Sequence, residues 1–324
     1  MRRLRRFALI VSLGLASSSG VAWSEPGSYP NRPVRIIVPF APGGVVDVTA
    51  RLLAQKLSES LNQQFYIENM GGGGGNIGTR AASLSLRDGY TVLITSSNFV
   101  VNPSLNAAAR YDPVRDFAPV TIAAASPNVL VVYPGEAART VSELVDAIRA
   151  APGTYSFASS GVGTTPHLSG ELFRLSTHTD LVHVPFAGAG PASQSTVAGQ
   201  TRIAFINLPP AVMLIKAGSL RALAMTGVAR SSALPDVPTM AEAGLGGQEA
   251  ETLLFILLPA GTAPEIVAFL NREVRKVLER PDVRQTFEVL GFEAMGSTSG
   301  DAASRITQEI ARWAKVIQDA NLRQ

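Results

Sequence analysis

Val34-Arg35-Ile36-Ile37-Val38-Pro39-Phe40-Ala41-Pro42-Gly43-Gly44-Val45-Val46-Asp47 is the stretch that decides how the rest of the chain is read. Residues 34–40 form a short apolar run and predict a buried strand. From residue 45 to about 61, apolar side chains fall at Val45, Val48, Leu52, Leu53 and Leu57, close to helical spacing. Between the two lies a Pro-Gly-Gly turn. A strand that turns on glycine into a helix leaves first-turn N–H groups without partners, at the positive end of the helix dipole. Such a point favours anions. The stretch therefore predicts an α/β fold with a candidate anion-binding turn at Gly43 and Gly44, and Asp47 one turn into the helix.

Working outward, the same alternation continues. Residues 65–68 read as a second strand. Five glycines at 71–75 and Asn76-Ile77-Gly78 lead into a helix to about 85, and Asp88-Gly89 turns the chain into a third strand at 90–95. This βαβαβ order predicts a parallel sheet with right-handed crossovers. Residues 98–119 are polar and interrupted by proline, with Tyr111-Asp112-Pro113 and Asp116-Phe117 as turn punctuation. Apolar runs at 120–125 and 129–133 follow. A second α/β unit comes next, with helices at 141–150, 166–176, 192–198 and 210–217. Its strands fall at 155–158, 181–184, 202–206 and 221–225. After a loop-like segment at 235–247 comes a long apolar run at 252–258. The chain closes with helices at 264–279 and 281–290, a strand near Phe292 and a helix at 300–320. No repeat of 20–50 residues is evident.

Composition bounds what such a fold does. A chain of 324 residues with 46% hydrophobic and 16% charged residues suits two well-packed domains. Residues 1–22 stand apart. Four arginines (Arg2, Arg3, Arg5, Arg6) precede a roughly ten-residue apolar run that is short for a bilayer span, and Gly20-Val21-Ala22 offers small residues for cleavage. This predicts a cleaved signal peptide. Without it, 24 basic residues face 25 acidic ones, a net charge of −1 against +3 for the full sequence. That balance gives no reason to expect nucleic acid or an anionic membrane as partner. With no cysteine, an exported chain relies on core size and not on disulfides.

Three strand-to-helix turns carry the candidate chemistry. They are Pro42-Gly43-Gly44, then Ser96-Ser97-Asn98, then Ser159-Ser160-Gly161-Val162-Gly163-Thr164-Thr165-Pro166-His167. All sit at C-terminal ends of expected strands, where open α/β sheets bind ligands. Thr164 and Thr165 offer hydroxyls, and Pro166 suits a first helical position. Each turn taken alone also reads as an ordinary capped helix start. Catalysis finds little support. The three histidines are His167, His178 and His183, and no Gly-x-Ser-x-Gly elbow accompanies them. His183, in an apolar strand, reads as structural; for His167, ligand contact and capping stay open. No His, Asp or Glu cluster has metal-ligand spacing, and no cofactor is expected. The glycine run lacks the Gly-Lys-Ser/Thr ending of a phosphate loop.

At these residues the chain resembles a known family. Tyr29-Pro30-x-Arg32-Pro33-Val34-Arg35-Ile36, Pro39-Phe40-x-Pro42-Gly43-Gly44-x-x-Asp47 and Gly74-Gly75-Asn76-Ile77-Gly78 carry the likeness. So do Asp88-Gly89-Tyr90-Thr91, Asn102-Pro103-Ser104-Leu105 and Asp116-Phe117-Ala118-Pro119-Val120. Ser159-Ser160-Gly161-x-Gly163-Thr164, His183-Val184-Pro185-Phe186-x-Gly188, Lys216-Ala217-Gly218 and Leu234-Pro235-Asp236-Val237-Pro238-Thr239 continue it. Together these motifs resemble the Bug family, the periplasmic solute receptors of tripartite tricarboxylate transporters.

The resemblance implies a two-lobe type II periplasmic binding protein fold with a hinged central cleft. Residues 29–122 with 252–324 would form one lobe and 123–251 the other, with crossing segments near 120–125 and 252–258. A small organic carboxylate would be enclosed between the lobes and handed to membrane permease subunits by a monomeric, non-enzymatic periplasmic receptor. Alternatives are a ligand-sensing receptor for a membrane signalling protein and an enzyme on the same fold. Carried over by position, the ligand-binding set is Gly43, Gly44 and Asp47 on one wall, and Thr164, Thr165 and His167 on the other. Ser97, Asn98 and Asn207 would lie nearby. Asp47 would either cap its helix or accept an ammonium group. The family often has Tyr-Lys where this chain has Phe186-Ala187, and an aromatic at Leu253 or Leu254. These departures imply a more apolar pocket and a smaller or partly apolar acid.

Overall fold

The computed structural model describes residues 29–322. The expected signal peptide at 1–22 lies outside the described residues. In chain order the strands are β1 (Val34–Val38), β2 (Phe65–Asn69), β3 (Thr91–Ser96), β4 (Phe117–Val132), β5 (Tyr155–Ser159), β6 (Leu181–Pro185), β7 (Ile203–Asn207), β8 (Arg221–Met225), β9 (Glu251–Pro259) and β10 (Glu293–Ala294). The helices are α1 (Val45–Leu61), α2 (Asn76–Ser83), α3 (Asn98–Leu105), α4 (Val141–Ala150), α5 (Thr165–Thr177), α6 (Ala189–Val197), α7 (Leu208–Lys216), α8 (Pro264–Leu278), α9 (Pro281–Val289) and α10 (Ser299–Asp319).

The strands follow the order β2-β1-β3-β9-β4-β7-β5-β6, with β8 and β10 also paired to β4. As expected, β1 pairs in parallel with both β2 and β3. The second unit repeats this, with β5 parallel to β6 and to β7. The antiparallel pair β4 and β9 joins them. Their pairing runs from Phe117↔Pro259 to Pro127↔Glu251. From Asn128 onward β4 pairs instead with β7 and β8. One long strand thus serves both halves of the sheet, and the partners change at Pro127-Asn128.

Each half is covered on both faces. Along β9, Leu254, Ile256 and Leu258 enter a core with α1 and α8, while Leu253, Phe255 and Leu257 enter another with α3 and α10. Residues 253–258 are all apolar because successive side chains point into opposite cores. Leu130 and Val132 on one side of β4, and Val129 and Val131 on the other, do the same in the second half. Trp313 on α10 is fully buried, and its indole N–H donates to Glu309 Oε2 at 2.6 Å.

Two stretches are more regular than their sequence shows. Within the proline-interrupted residues 98–119, α3 forms with Pro103 inside it. Proline removes the N–H that would have bonded the carbonyl four residues back. That carbonyl belongs to Phe99, and the buried Tyr111 hydroxyl donates to it at 3.0 Å. The runs at 120–125 and 129–133 are likewise one strand, continuous through Ser126-Pro127-Asn128. Among the described residues no helix is long and apolar enough to cross a membrane.

Candidate functional site

The first turn is built as the opening stretch requires. Gly43 takes φ +82°, a conformation L side chains rarely adopt, and residues 41–44 are exposed. Gly44 is the N-cap of α1 but has no side chain to cap with. Asp47 supplies what is missing. It sits at the third helical position, and its Oδ2 accepts the Gly43 N–H at 2.9 Å, in the manner of one half of a capping box. The same oxygen accepts Arg51 Nε at 2.9 Å, and Oδ1 accepts Asn69 Nδ2 at 2.8 Å. Asp47 is only 2% exposed. Burial pushes its carboxyl up, but hydrogen bonds from Arg51, Gly43 and Asn69 outweigh this and hold it below the ordinary value. The Val45 and Val46 N–H groups find no acceptor among the described residues.

The turn after β5 is the counterpart. Thr164 caps α5: its hydroxyl donates to Gly161 O at 2.7 Å and accepts the His167 N–H at 3.4 Å. His167 is buried, and its Nδ1 accepts the Gly163 N–H at 3.1 Å. Burial, and then the neighbouring His183, lower its pKa to about 3, so the ring is neutral. Its Nε2 lies 3.8 Å from Glu171 Oε1, too far for a hydrogen bond. Thr165 Oγ1 bonds Thr252 Oγ1 on β9, and the Thr165 N–H is free among the described residues.

The glycine run lies between these turns. A methyl built on Gly71 would stand 3.5 Å from Ala41 N, and one on Gly75 3.4 Å from the Phe40 ring. Gly74 O accepts Asn102 Nδ2 at 2.9 Å. A methyl on Gly163 would fall 2.6 Å from Leu105 on that same helix α3. The two halves of the sheet are thus in contact through α3 and Gly163. Ser97, which precedes α3, accepts the Leu253 N–H at 2.9 Å, and Asn98 Oδ1 accepts from Ser96 Oγ at 3.3 Å. Asn207 Nδ2 donates to Thr252 Oγ1 at 2.7 Å and to Asn128 Oδ1 at 3.0 Å.

The fold is the one that solved periplasmic binding proteins share. Residues 49–322 match the family model described as the tripartite tricarboxylate transporter family receptor. The chain belongs to that receptor family. It is 35% identical to protein BugT of Bordetella pertussis over 318 residues, 98% of each chain. A Rhodopseudomonas palustris protein solved with adipate is 35% identical, with a TM-score of 0.82 over 90% of this chain and 98% of that one. The protein MatC of the same organism, solved with bound malate, is 30% identical, with a TM-score of 0.77 over 89% and 100%.

In this receptor Ser97, Thr165 and Asn207 are gathered around the start of β9. Thr164, Thr165 and His167 share the second turn, and Gly43, Gly44 and Asp47 share the first. The residue at the centre went unnoticed in the sequence. Asn128, fully buried, donates from Nδ2 to Ser169 Oγ (2.9 Å) and to Ala250 O (3.2 Å), and accepts from Thr165 and Asn207 at Oδ1. Thr252 and Thr226 complete the knot, with Thr226 Oγ1 accepting the Asn128 N–H at 2.9 Å. The signal available was a polar Ser126-Pro127-Asn128 in the middle of an apolar run. Leu253 and Leu254, at positions where the resemblance implies an aromatic, are fully buried in the two cores on either side of β9.

A cavity of about 590 Å³ lies elsewhere. It is bounded by residues 228–232 after β8 and by α9 and β10, with Glu251, Arg284 and Glu288 on its walls, and it includes none of the candidate residues.

Proposed function

We propose that the receptor captures a small organic carboxylate between the turn at Gly43-Gly44 and the turn at Thr164-Thr165, and passes it to the permease subunits of a membrane transporter. One observation carries this reading. Two helix N-termini, one from each half of the sheet, present N–H groups without internal acceptors, and the halves meet through α3 and the Gly163 turn. Relatives of at least 30% identity solved with adipate and malate support the ligand class.

In this reading residues 29–122 with 252–324 make one lobe and 123–251 the other, and the partner change at Pro127-Asn128 supports a crossing slightly further along β4. Gly43, Gly44, Thr164 and Thr165 line the ligand, with Asn98 beside them. Asp47, Ser97, His167 and Asn207 act from behind, each holding the surrounding protein through a side-chain hydrogen bond. Residues 1–22 direct export to the periplasm and are removed. The receptor works as a monomer without catalysis.

The test is a thermal-shift screen of the purified receptor against mono-, di- and tricarboxylates, adipate and malate among them. A ligand at 100 times its dissociation constant adds about 2.7 kcal/mol of stability. A screen with no stabilising acid ends the carboxylate reading.

A further inference from the structure

Two imidazoles stand behind the turn after β5. His167 in the first turn of α5 and His183 in β6 stack with centroids 4.0 Å apart and planes at 26°. Phe157 of β5 stacks on His183 at 4.9 Å. Each imidazole uses one nitrogen on the turn. His167 Nδ1 accepts the Gly163 N–H directly. His183 Nε2 lies 2.7 Å from Ser159 Oγ, and that oxygen accepts the Gly161 N–H at 3.2 Å. Gly161 and Gly163 take φ of +124° and +78°, which glycine adopts readily and L side chains rarely do. Two N–H groups two residues apart are therefore drawn inward, toward the rings.

Ser159 Oγ, which accepts the Gly161 N–H, stands between two further partners, His183 Nε2 at 2.7 Å and Gly161 O at 3.4 Å. It bonds the imidazole in either tautomer: as donor to an unprotonated Nε2, or as acceptor from Nε2–H while its own proton turns to Gly161 O. Of the two imidazoles, His167 accepts the Gly163 N–H at Nδ1, so its own proton stands on Nε2. Burial favours the neutral form in both.

We infer that Ser159 and His183 are positioning residues for ligand capture: through Gly161, and beside the His167–Gly163 bond, they set the backbone shape of the turn that presents Thr164 and Thr165 to the ligand. The inference rests on the reading of that turn as one wall of the carboxylate site. It assigns function to a histidine that the sequence marks only as a strand residue, and to a serine with no access to ligand. Ser159 is fully buried, so it acts through the turn and not on the ligand itself.

The experiment compares the full-length mature receptor with Ser159→Ala, His183→Leu and His183→Gln. Glutamine places its terminal amide where Nε2 stands and preserves a hydrogen-bond partner for Ser159 in either direction. Three quantities are read: melting temperature, affinity for adipate and malate by calorimetry, and amide exchange of Gly161 and Gly163 without ligand. Ser159→Ala and His183→Leu should remain folded, bind at least ten-fold more weakly and exchange the Gly161 amide at least ten-fold faster. His183→Gln should recover most of both. Affinity within two-fold of wild type in folded Ser159→Ala overturns the inference. So does equal weakness of the Leu and Gln variants, which would mark a packing role. If no acid of the screen binds the wild-type receptor, the carboxylate reading fails separately, and unchanged Gly161 exchange in Ser159→Ala still overturns the positioning role.

Discussion

Replacing Asp47 by Ala separates two roles for the charged residue at the first turn. The carboxylate has three donors in the structure, and each loses something different. The Gly43 N–H is exposed and regains water, so its loss resembles that of a helix cap, about 1 kcal/mol. The Arg51 side chain is 53% exposed, so screening limits its i,i+4 ion pair to about 0.3–0.5 kcal/mol. Asn69 keeps the Phe40 carbonyl at 3.1 Å but loses a partly buried bond, about 1 kcal/mol. The total is about 2–3 kcal/mol, and at about 2–4 °C per kcal/mol for a chain of this class the melting temperature should fall by about 5–10 °C. Because the folded carboxyl titrates below its ordinary value, this stability is fully present above the unfolded pKa of about 3.9. It is lost as pH falls through the folded value, so wild type and variant should converge in strong acid. Asp47→Asn, which keeps one acceptor oxygen, should recover about half of the loss. Calorimetry with paired amino and non-amino carboxylates completes the assay. We expect affinity for both to fall by a similar factor, as the turn loosens. A variant that melts within about 1 °C of wild type would refute the capping role. Selective loss of the amino acids would show that the carboxylate touches an ammonium group after all.

Gly170→Ala should destabilise by about 1–3 kcal/mol, because its methyl would lie inside the buried Phe157 ring, and melting temperature checks this. An unchanged value would mean that the ring moves freely. Thr252→Val should cost about 1–3 kcal/mol by removing one of the two partners that Asn207 and Thr165 share, with Asn128 Oδ1 left, read by melting and by calorimetry with adipate. The neutral pair His167 and His183, with folded values of about 3 and about 4, takes up fewer protons below pH 6.5 than the unfolded chain does. Stability should therefore rise with pH across roughly 4 to 6.5, and His183→Gln should flatten that slope. Glu171, paired with Arg174, faces His167 from the same helix, while Phe157 and Ser159 flank His183. An identical slope in the variant would place the proton uptake elsewhere.

Local patterns carried the fold a long way. The strand, glycine turn and helix at 34–61 and their repeats are written in short-range periodicity, and both parallel units formed where that periodicity placed them. What sequence reading missed depends on partners far along the chain. Pro103 reads as a helix breaker until Tyr111 fills the carbonyl it orphans. Ser126-Pro127-Asn128 reads as punctuation because a buried asparagine has no place in a strand unless satisfied. Its partners lie 41, 79 and 122 residues away, and no window shows them. The candidate residues were legible as turns, but which of their atoms face outward was not. Ser97, Asn207 and His167 each look like exposed polar groups in sequence, and each is turned to the protein by a tertiary contact.

Among the described residues, the two turns of the proposed site carry no unpaired cation. Arg51, the charged base near the first turn, is paired with Asp47, so this wall offers an anion backbone dipoles and little net charge. For a receptor that must surrender its cargo, the difference is large. At 4 Å, in surroundings of effective dielectric about 20, a guanidinium would add about 4 kcal/mol of attraction to a carboxylate. That is nearly three powers of ten in affinity. Helix N-termini contribute about 0.3–1 kcal/mol each at exposed positions, so in the proposed site two of them would hold an anion without trapping it. The selectivity such a site exerts comes from where its N–H groups point. On this argument the glycines at 43, 161 and 163 matter more than any charge, and the groups that fix them, Asp47, Ser159, His167 and His183, tune affinity without touching the ligand.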